Sequence, residues 1–96
     1  MITGKTSQGY EFSVDPRTLK DWKYVKAIRR AESKDSGQRL LGITDLIIML
    51  LGEDQADKIA EEIGEKNNGY SPIDELYAVV VEILNICKEQ NEEVKK

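Results

Sequence analysis

The sequence contains no histidine and only one cysteine, and these two shortages exclude several kinds of chemistry. Without histidine, the chain lacks the commonest general base, the commonest zinc ligand and the base of a Ser-His-Asp triad. A lone cysteine, Cys87, excludes a disulfide bond within the chain. Because Cys87 continues the apolar helical pattern of Val80, Ile83 and Leu84, we predict a buried thiol rather than a nucleophile. We therefore expect a protein that is not an enzyme.

Motifs for binding nucleotides and metal ions are also missing. The glycines are scattered, and no Gly-x-x-x-x-Gly-Lys phosphate loop occurs. The carboxylates do not have the alternating spacing of a calcium loop. Asp54, Asp57, Glu61 and Glu62 instead recur at helical intervals, which is typical of a solvated polar face. We expect no cofactor and no metal site.

Long apolar runs are absent too. A membrane-spanning helix needs a stretch of roughly 18 apolar residues, and nothing in this chain approaches that length. The mean hydropathy is −0.50. The first ten residues lack the apolar segment of a signal peptide. These features predict a cytoplasmic protein that makes no membrane contact.

Charge is present in quantity but is unevenly distributed. The net charge is −4, yet residues 1–39 hold nine Lys/Arg against five Asp/Glu, whereas residues 40–96 hold five against thirteen. Such asymmetry is a sign of interaction. It is compatible with head-to-tail association of copies, and equally with a basic helix that packs beside acidic ones.

The most informative apolar feature is the uninterrupted run Leu46–Leu51. In a helix, six successive residues point to every side, so the helix must be covered all round. The cover comes either from the rest of the chain or from a partner. We assign to the core Leu46, Leu50 and Ile47. The residues predicted to bind a partner are Ile48, Met49 and Leu51, together with Trp22 and Val81.

The first half of the chain predicts a short β element and two helices. Alternation over Tyr10–Val14 indicates a strand, which Ile2–Thr6 can pair with as a hairpin. Asp15 is predicted to cap a first helix that has Pro16 at its first position. Residues 33–37 break that helix. The second helix begins either near Gln38 or after Gly42 with Thr44 as its cap, and Gly52 ends it.

Two further helices follow. Asp54 is predicted to cap a third, short amphipathic helix, and Asn67-Asn68-Gly69 forms a turn. Ser71 is predicted to cap the fourth helix, with Pro72 at its first position. The expected fold is mainly α: one four-helix domain over residues 1–96. It comprises a β element at residues 1–14, a helical core at 15–87 and a charged, frayed tail at 88–96.

The basic side of the first helix allows two interpretations. Its cations are Lys20, Lys23, Lys26 and Arg30, which would favour phosphate binding. The whole chain is acidic, with an isoelectric point near 4.9, which opposes a nucleic-acid function. Trp22 on the same helix is either an exposed binding anchor or, as we expect, packed against Tyr10 and Phe12.

The order of these features resembles that of the tail assembly chaperones of long-tailed bacteriophages and prophages. A glycine-aromatic strand at 9–15 leads into a Leu-Lys-Asp-Trp element at 19–22. An apolar helix then ends in Leu-Leu-Gly-Glu-Asp-Gln at 50–55. A short helix, the turn at Asn68-Gly69 and a last helix with a charged tail complete the pattern, so that the resemblance covers nearly the whole chain.

The resemblance implies a small helical protein of the host bacterial cytoplasm. Such a chaperone oligomerises, coats the helical tape measure protein and keeps it soluble during tail assembly, without catalysis. Two alternatives remain open from the residues themselves. One is a small DNA-binding regulator that uses the basic face of the first helix. The other is an unrelated oligomeric adaptor that dimerises through its second and fourth helices.

Overall fold

The computed structural model describes the backbone of residues 1–95 and the side chains of residues 1–90. Over these residues the chain forms an N-terminal hairpin followed by four α-helices, which confirms the predicted fold class. The strands are β1 (Ile2–Lys5) and β2 (Glu11–Val14), and a 3₁₀ helix covers Pro16–Lys20. The helices are α1 (Trp22–Ala31), α2 (Ser36–Leu51), α3 (Glu53–Lys66) and α4 (Ile73–Lys95).

The hairpin is antiparallel, and its register places Ile2 opposite Val14. Alternation of side chains puts Phe12 and Val14 into the core, as the period-two pattern predicts. The outer edge of β2 is occupied by the amide of Gln55 in α3, which accepts from the N–H of Ser13 at 2.7 Å and donates to its carbonyl at 3.0 Å. An isolated hairpin is only marginally stable, so this one depends on the helices.

Aspartates begin three successive helical segments. Asp15 accepts a hydrogen bond from the N–H of Arg17, Asp21 accepts one from Lys23, and Asp35 accepts from both Gly37 and Gln38. Each carboxylate satisfies amides that have no partner inside the helix. The guanidinium of Arg17 also donates to Asp15 and, together with the Arg17 N–H, lowers the pKa of this carboxyl to about 2.

These caps correct two predicted helix starts. Asp15 and Pro16 begin only the 3₁₀ helix, because Asp21 has extended backbone angles (φ −73°, ψ 133°) and starts α1 afresh. Asp35 starts α2 at Ser36, close to the predicted start near Gln38. The alternative start at Thr44 is wrong, since Thr44 lies inside the helix and donates its hydroxyl to the carbonyl of Leu40.

Two further predicted caps are also wrong. Gly52 ends α2, as predicted, at φ +79°, but α3 begins at the very next residue, so Asp54 lies in the first turn and caps nothing. Ser71 donates its hydroxyl to the carbonyl of Ala60 in α3. The first amides of α4 use the carbonyl of Pro72 instead. Ser71 therefore joins α3 to the following loop and does not cap α4.

The closest approach between helices is that of α2 to α1 at Gly42. A β-carbon built on Gly42 would lie 2.3 Å from the backbone nitrogen of Ala31 and 2.5 Å from the carbonyl carbon of Arg30. Only a residue without a side chain fits against backbone atoms at that range. The opposing side chains Ala27 and Ala31 are small as well and are buried.

One continuous core joins the hairpin and all four helices. Its most deeply buried side chains are Leu46, Ile59, Ile63, Ile83, Val14, Val80 and Cys87. The prediction that Cys87 is a core thiol is confirmed, and burial raises its pKa. The central position of Leu46 shows that α2 is surrounded by the rest of the chain on its core side.

Helix α4 continues past Cys87 to Lys95, beyond the predicted helical core at 15–87. The predicted frayed tail at 88–96 falls largely on residues 91–96, outside the described side chains. In the part of the chain that the structure describes, no helix has the length and apolarity needed to cross a membrane.

Gly42→Ala is expected to destabilise the protein by about 1–3 kcal/mol, because the new methyl group meets backbone that cannot rotate away. Chemical denaturation measures the change. Gly37→Ala is the matched control: Gly37 lies in the same helix with only Asp35 nearby, at 3.4 Å from a built β-carbon. That variant should gain up to about 1 kcal/mol. Equal stabilities of Gly42→Ala and the wild type would contradict the close approach.

The stability of the fold should fall at alkaline pH through Tyr24. Burial, with smaller contributions from Cys87 and Tyr77, raises the pKa of Tyr24 to about 12 from the ordinary 10.0. The folded state therefore favours the neutral phenol, so its contribution is complete below pH 10.0 and disappears as the pH rises to about 12. Denaturation midpoints across this interval measure the effect. Tyr24→Phe should flatten the decline, and an unchanged slope would contradict the assignment.

Candidate partner-binding surface

The structure divides the apolar run Leu46–Leu51 into buried and accessible residues. Leu46, Ile47 and Leu50 are buried, as predicted. Ile48 retains 41% exposure, and Met49 is half-buried. Leu51, which we expected at a partner interface, is only 7% exposed, because it turns toward the hairpin and α3. The accessible part of the run is therefore Ile48 with one edge of Met49.

Ile48 and Met49 form one wall of an open groove between α1 and α2, with a volume of about 270 Å³. We call this feature the α1–α2 groove. Its lining residues are Lys23, Lys26, Ala27, Arg30, Asp45, Ile48 and Met49. A second depression continues from it along α1 toward Arg29, Ser33 and Gln38, and shares Lys26 and Arg30 with it. The groove thus has an apolar wall on α2 and a cationic wall on α1.

Of these cations, only Arg30 has a carboxylate partner among the side chains that the structure describes. The guanidinium of Arg30 donates to the carboxylate of Asp45 at 3.0 Å and to the amide oxygen of Gln38 at 3.3 Å. Among the described side chains, no carboxylate lies within 4.0 Å of Lys23, Lys26 or Arg29. The local field at the groove is positive, although the whole chain carries −4.

Trp22 lies on the solvent side of α1 and does not pack against Tyr10 and Phe12. Its side chain is 70% exposed, so the expected packing is wrong. The reason is the start of α1 at Asp21. From that start, helical periodicity turns Tyr24, Ala27 and Ala31 to the core and Trp22 directly away from it. Lys26 and Arg29, at i+4 and i+7, share the outer face with Trp22.

Three exposed apolar residues on α1 and α2 were not predicted as partner contacts: Val25, Leu40 and Leu41. They are 41%, 49% and 52% exposed, respectively. The signal for Leu41 is available once the start of α2 is known, because Leu41 and Ile48 are seven residues apart and so share a face. That face is the one opposite Leu46 and Leu50. Because the start of α2 was uncertain, the sequence did not predict that Leu41 and Ile48 share an exposed face.

Val81, the remaining predicted contact, is separate from these residues. It lies on α4, is 38% exposed and is not among the residues that line the groove. The structure therefore brings together Ile48 and Met49, places Trp22 on the adjacent outer face of α1, and leaves Val81 on another helix. Leu51 belongs to the core.

The chemistry that this surface offers is non-covalent. Its apolar wall can cover aliphatic or aromatic side chains, and its ammonium and guanidinium groups can pair with anions. Within the described residues, no three His, Cys, Asp or Glu side chains are grouped as metal ligands. Comparison of the chain with protein-family models, with curated proteins and with solved structures gave no match.

Substitution of two adjacent isoleucines should separate the core side of α2 from its accessible side. Ile47→Ala removes a side chain that is 3% exposed and should cost about 2–5 kcal/mol of stability. Ile48→Ala removes the same atoms from a side chain that is 41% exposed, and should cost less, about 1 kcal/mol. Urea denaturation of both variants measures the difference. Equal losses would show that Ile48 is also covered.

Proposed function

We propose that this protein is a non-enzymatic tail assembly chaperone of a long-tailed phage or prophage, and that it binds and solubilises the tape measure protein in the host bacterial cytoplasm. The observation that carries the proposal is the set of exposed apolar side chains on α1 and α2. Its members are Trp22, Val25, Leu40, Leu41 and Ile48. Exposed apolar residues concentrated on one helix pair are typical of a binding surface.

The proposed mechanism is reversible shielding. A long helical client presents apolar stripes that would otherwise associate with one another. The apolar side chains on α1 and α2 cover such a stripe, which is the helix-in-groove mode of recognition. The outer face of α3 exposes Asp54, Asp57, Glu61 and Glu65. These charges keep the complex soluble and repel other complexes.

The order of elements along the chain also supports the proposal. The hairpin, the helix that follows the Leu-Lys-Asp-Trp element, the apolar helix ending at Gly52, the short α3 and the long α4 occur in the order typical of the chaperone family. We also propose that copies of the chain associate on the client. Val81 on α4, remote from the groove lining, is the candidate for that contact.

Binding of nucleic acid is the second candidate function. It is favoured by Lys23, Lys26 and Arg29, which have no carboxylate partner among the described side chains. It is opposed by the composition of the same groove, in which Ile48 and Met49 form an apolar wall that offers phosphates no polar partner. Most of the affinity of a protein for nucleic acid comes from contacts with phosphates, so an apolar wall would be of little use.

Co-expression with the tape measure protein encoded in the same genome tests the proposal. The chaperone should raise the soluble fraction of this client and co-purify with it. The double variant Trp22→Ser/Ile48→Ser should lose most of both effects, because truncation of central anchors typically costs about 2 kcal/mol or more each.

Tyr70→Ser provides the matched control. Tyr70 is 68% exposed and Trp22 is 70% exposed, so the two aromatic residues are equally accessible. Tyr70, however, lies in the connection between α3 and α4. Its variant should behave like the wild type, and circular dichroism should show that all three proteins are folded. The proposal fails if the wild-type protein neither binds the client nor increases its solubility.

A further inference from the structure

The charges of the residues that line the α1–α2 groove indicate the charge of a ligand that would fit it. Its α2 wall is formed by Ile48, Met49 and Asp45, and its α1 wall carries Lys23, Lys26 and Arg30. Asp45 is paired with Arg30, so Lys23 and Lys26 are the cations left for a ligand among the described side chains. A ligand in the groove meets an apolar surface on one side and a row of cations on the other. Purely apolar ligands would leave those cations desolvated without a partner, which costs free energy.

The cations form two rows along α1. Lys23 and Arg30, seven residues apart, face the groove. Lys26 and Arg29 lie on the outer face beside Trp22, and Lys26 also lines the groove. Only Arg30 is paired, with Asp45 at 3.0 Å, among the side chains that the structure describes. Because α1 spans ten residues, these groups present positive charge along nearly the full length of the helix. The complement of such a row is a row of carboxylates on an element of similar length.

We propose that the occupant of the groove is an acidic amphipathic helix of a partner protein. Its apolar stripe lies on Ile48, Met49 and Ala27, and its flanking Asp and Glu side chains pair with Lys23, Lys26 and Arg29. Trp22 closes over the outer edge of this helix. The inference rests on the proposed function and specifies the client segment as an acidic one.

A second copy of the chain fits the groove less well. The acidic residues Asp54, Asp57, Glu61 and Glu65 on the outer face of α3 would satisfy the cations. That face exposes no large apolar side chain between them, so the wall formed by Ile48 and Met49 would stay uncovered. An acidic helix with its own apolar stripe satisfies both walls at once.

Three synthetic helical peptides test the inference directly. They share one length and differ in composition: an apolar stripe flanked by Glu, the same stripe flanked by Lys, and the Glu version with the stripe replaced by Gln. Trp22 is the single tryptophan of the chain, and its emission shifts to shorter wavelength when it is covered. Only the acidic amphipathic peptide should produce that shift at micromolar concentration, and added salt should weaken its binding.

Charge reversal locates the site. Lys26→Glu/Arg29→Glu should weaken binding of the acidic peptide by about tenfold or more, because attraction is replaced by repulsion at two contacts. The control Lys58→Glu/Lys88→Glu changes the net charge by the same amount on exposed positions of α3 and α4 and should change the affinity less than about twofold. All four positions are on the surface, and circular dichroism should show that both variants are folded.

The outcomes separate this inference from the proposed function. Equal binding of the Glu and Lys peptides, equal effects of the two charge reversals, or tighter binding of duplex DNA than of the acidic peptide would overturn it. If the tape measure protein is solubilised equally by the wild type and by Lys26→Glu/Arg29→Glu, the chaperone function stands and the acidic client is wrong. If the peptide binds as expected but the tape measure protein stays insoluble, the groove binds an acidic helix and the chaperone function is wrong.

Discussion

The approach of α2 to α1 at Gly42 determines how the rest of the molecule is arranged. Backbone lies against backbone there, and the small Ala27 and Ala31 keep the two helices close along their shared side. Tight packing leaves only one orientation for each helix about its own axis. Tyr24 is then directed to the core and Trp22 away from it, while Arg30 comes within reach of Asp45. The packing of the core and the shape of the α1–α2 groove are thus two consequences of one close contact.

The same contact explains why an apolar helix in a small protein is not fully buried. Helix α2 packs against α1, α3, α4 and the hairpin, which together cover the face that holds Leu46 and Leu50. A domain of this size has too little mass to enclose a central helix on every side. The face that holds Leu41 and Ile48 is the part of α2 that stays uncovered. Its position beside the cations of α1 makes it a mixed surface, suited to a ligand that is itself amphipathic.

Much of this fold was accessible from the sequence, because the responsible signals are local. Period-two alternation identified β2, Gly52 ended α2, and the spacing around Cys87 identified the core face of α4. The failures have local causes as well. Asp21 and Asp35 cap α1 and α2, but Asp15 before a proline and Thr44 after a glycine offered competing signals of similar strength. Gly42 looked like a helix boundary, whereas its role is to allow contact with a helix that no local pattern reveals.

The candidate surface was harder to predict than the fold. Ile48 and Met49 were identified from the length of the apolar run, but the choice between Ile48 and Leu51 depends on the rotation of α2, which Gly42 determines. The exposure of Trp22 follows from the start of α1 at Asp21 and reverses the expected packing. Arg29 was not grouped with the other cations, because helical periodicity places it on the side of Trp22 and not on that of Lys23 and Arg30. Charge asymmetry along the chain predicted an interaction, and three of the nine cations of residues 1–39 line the α1–α2 groove: Lys23, Lys26 and Arg30.

The hairpin at the start of the chain is attached to residues that are synthesised much later. The turn residue Ser7 donates its backbone N–H and its hydroxyl to the carboxylate of Glu82 in α4, and the edge of β2 is paired with Gln55 in α3. A two-stranded hairpin has little stability of its own. During translation, the hairpin must therefore wait for α3 and α4 before it finds these partners. The helices α1 and α2, whose contacts lie close together in sequence, can pair earlier, so the α1–α2 groove should be assembled before the domain that carries it is complete.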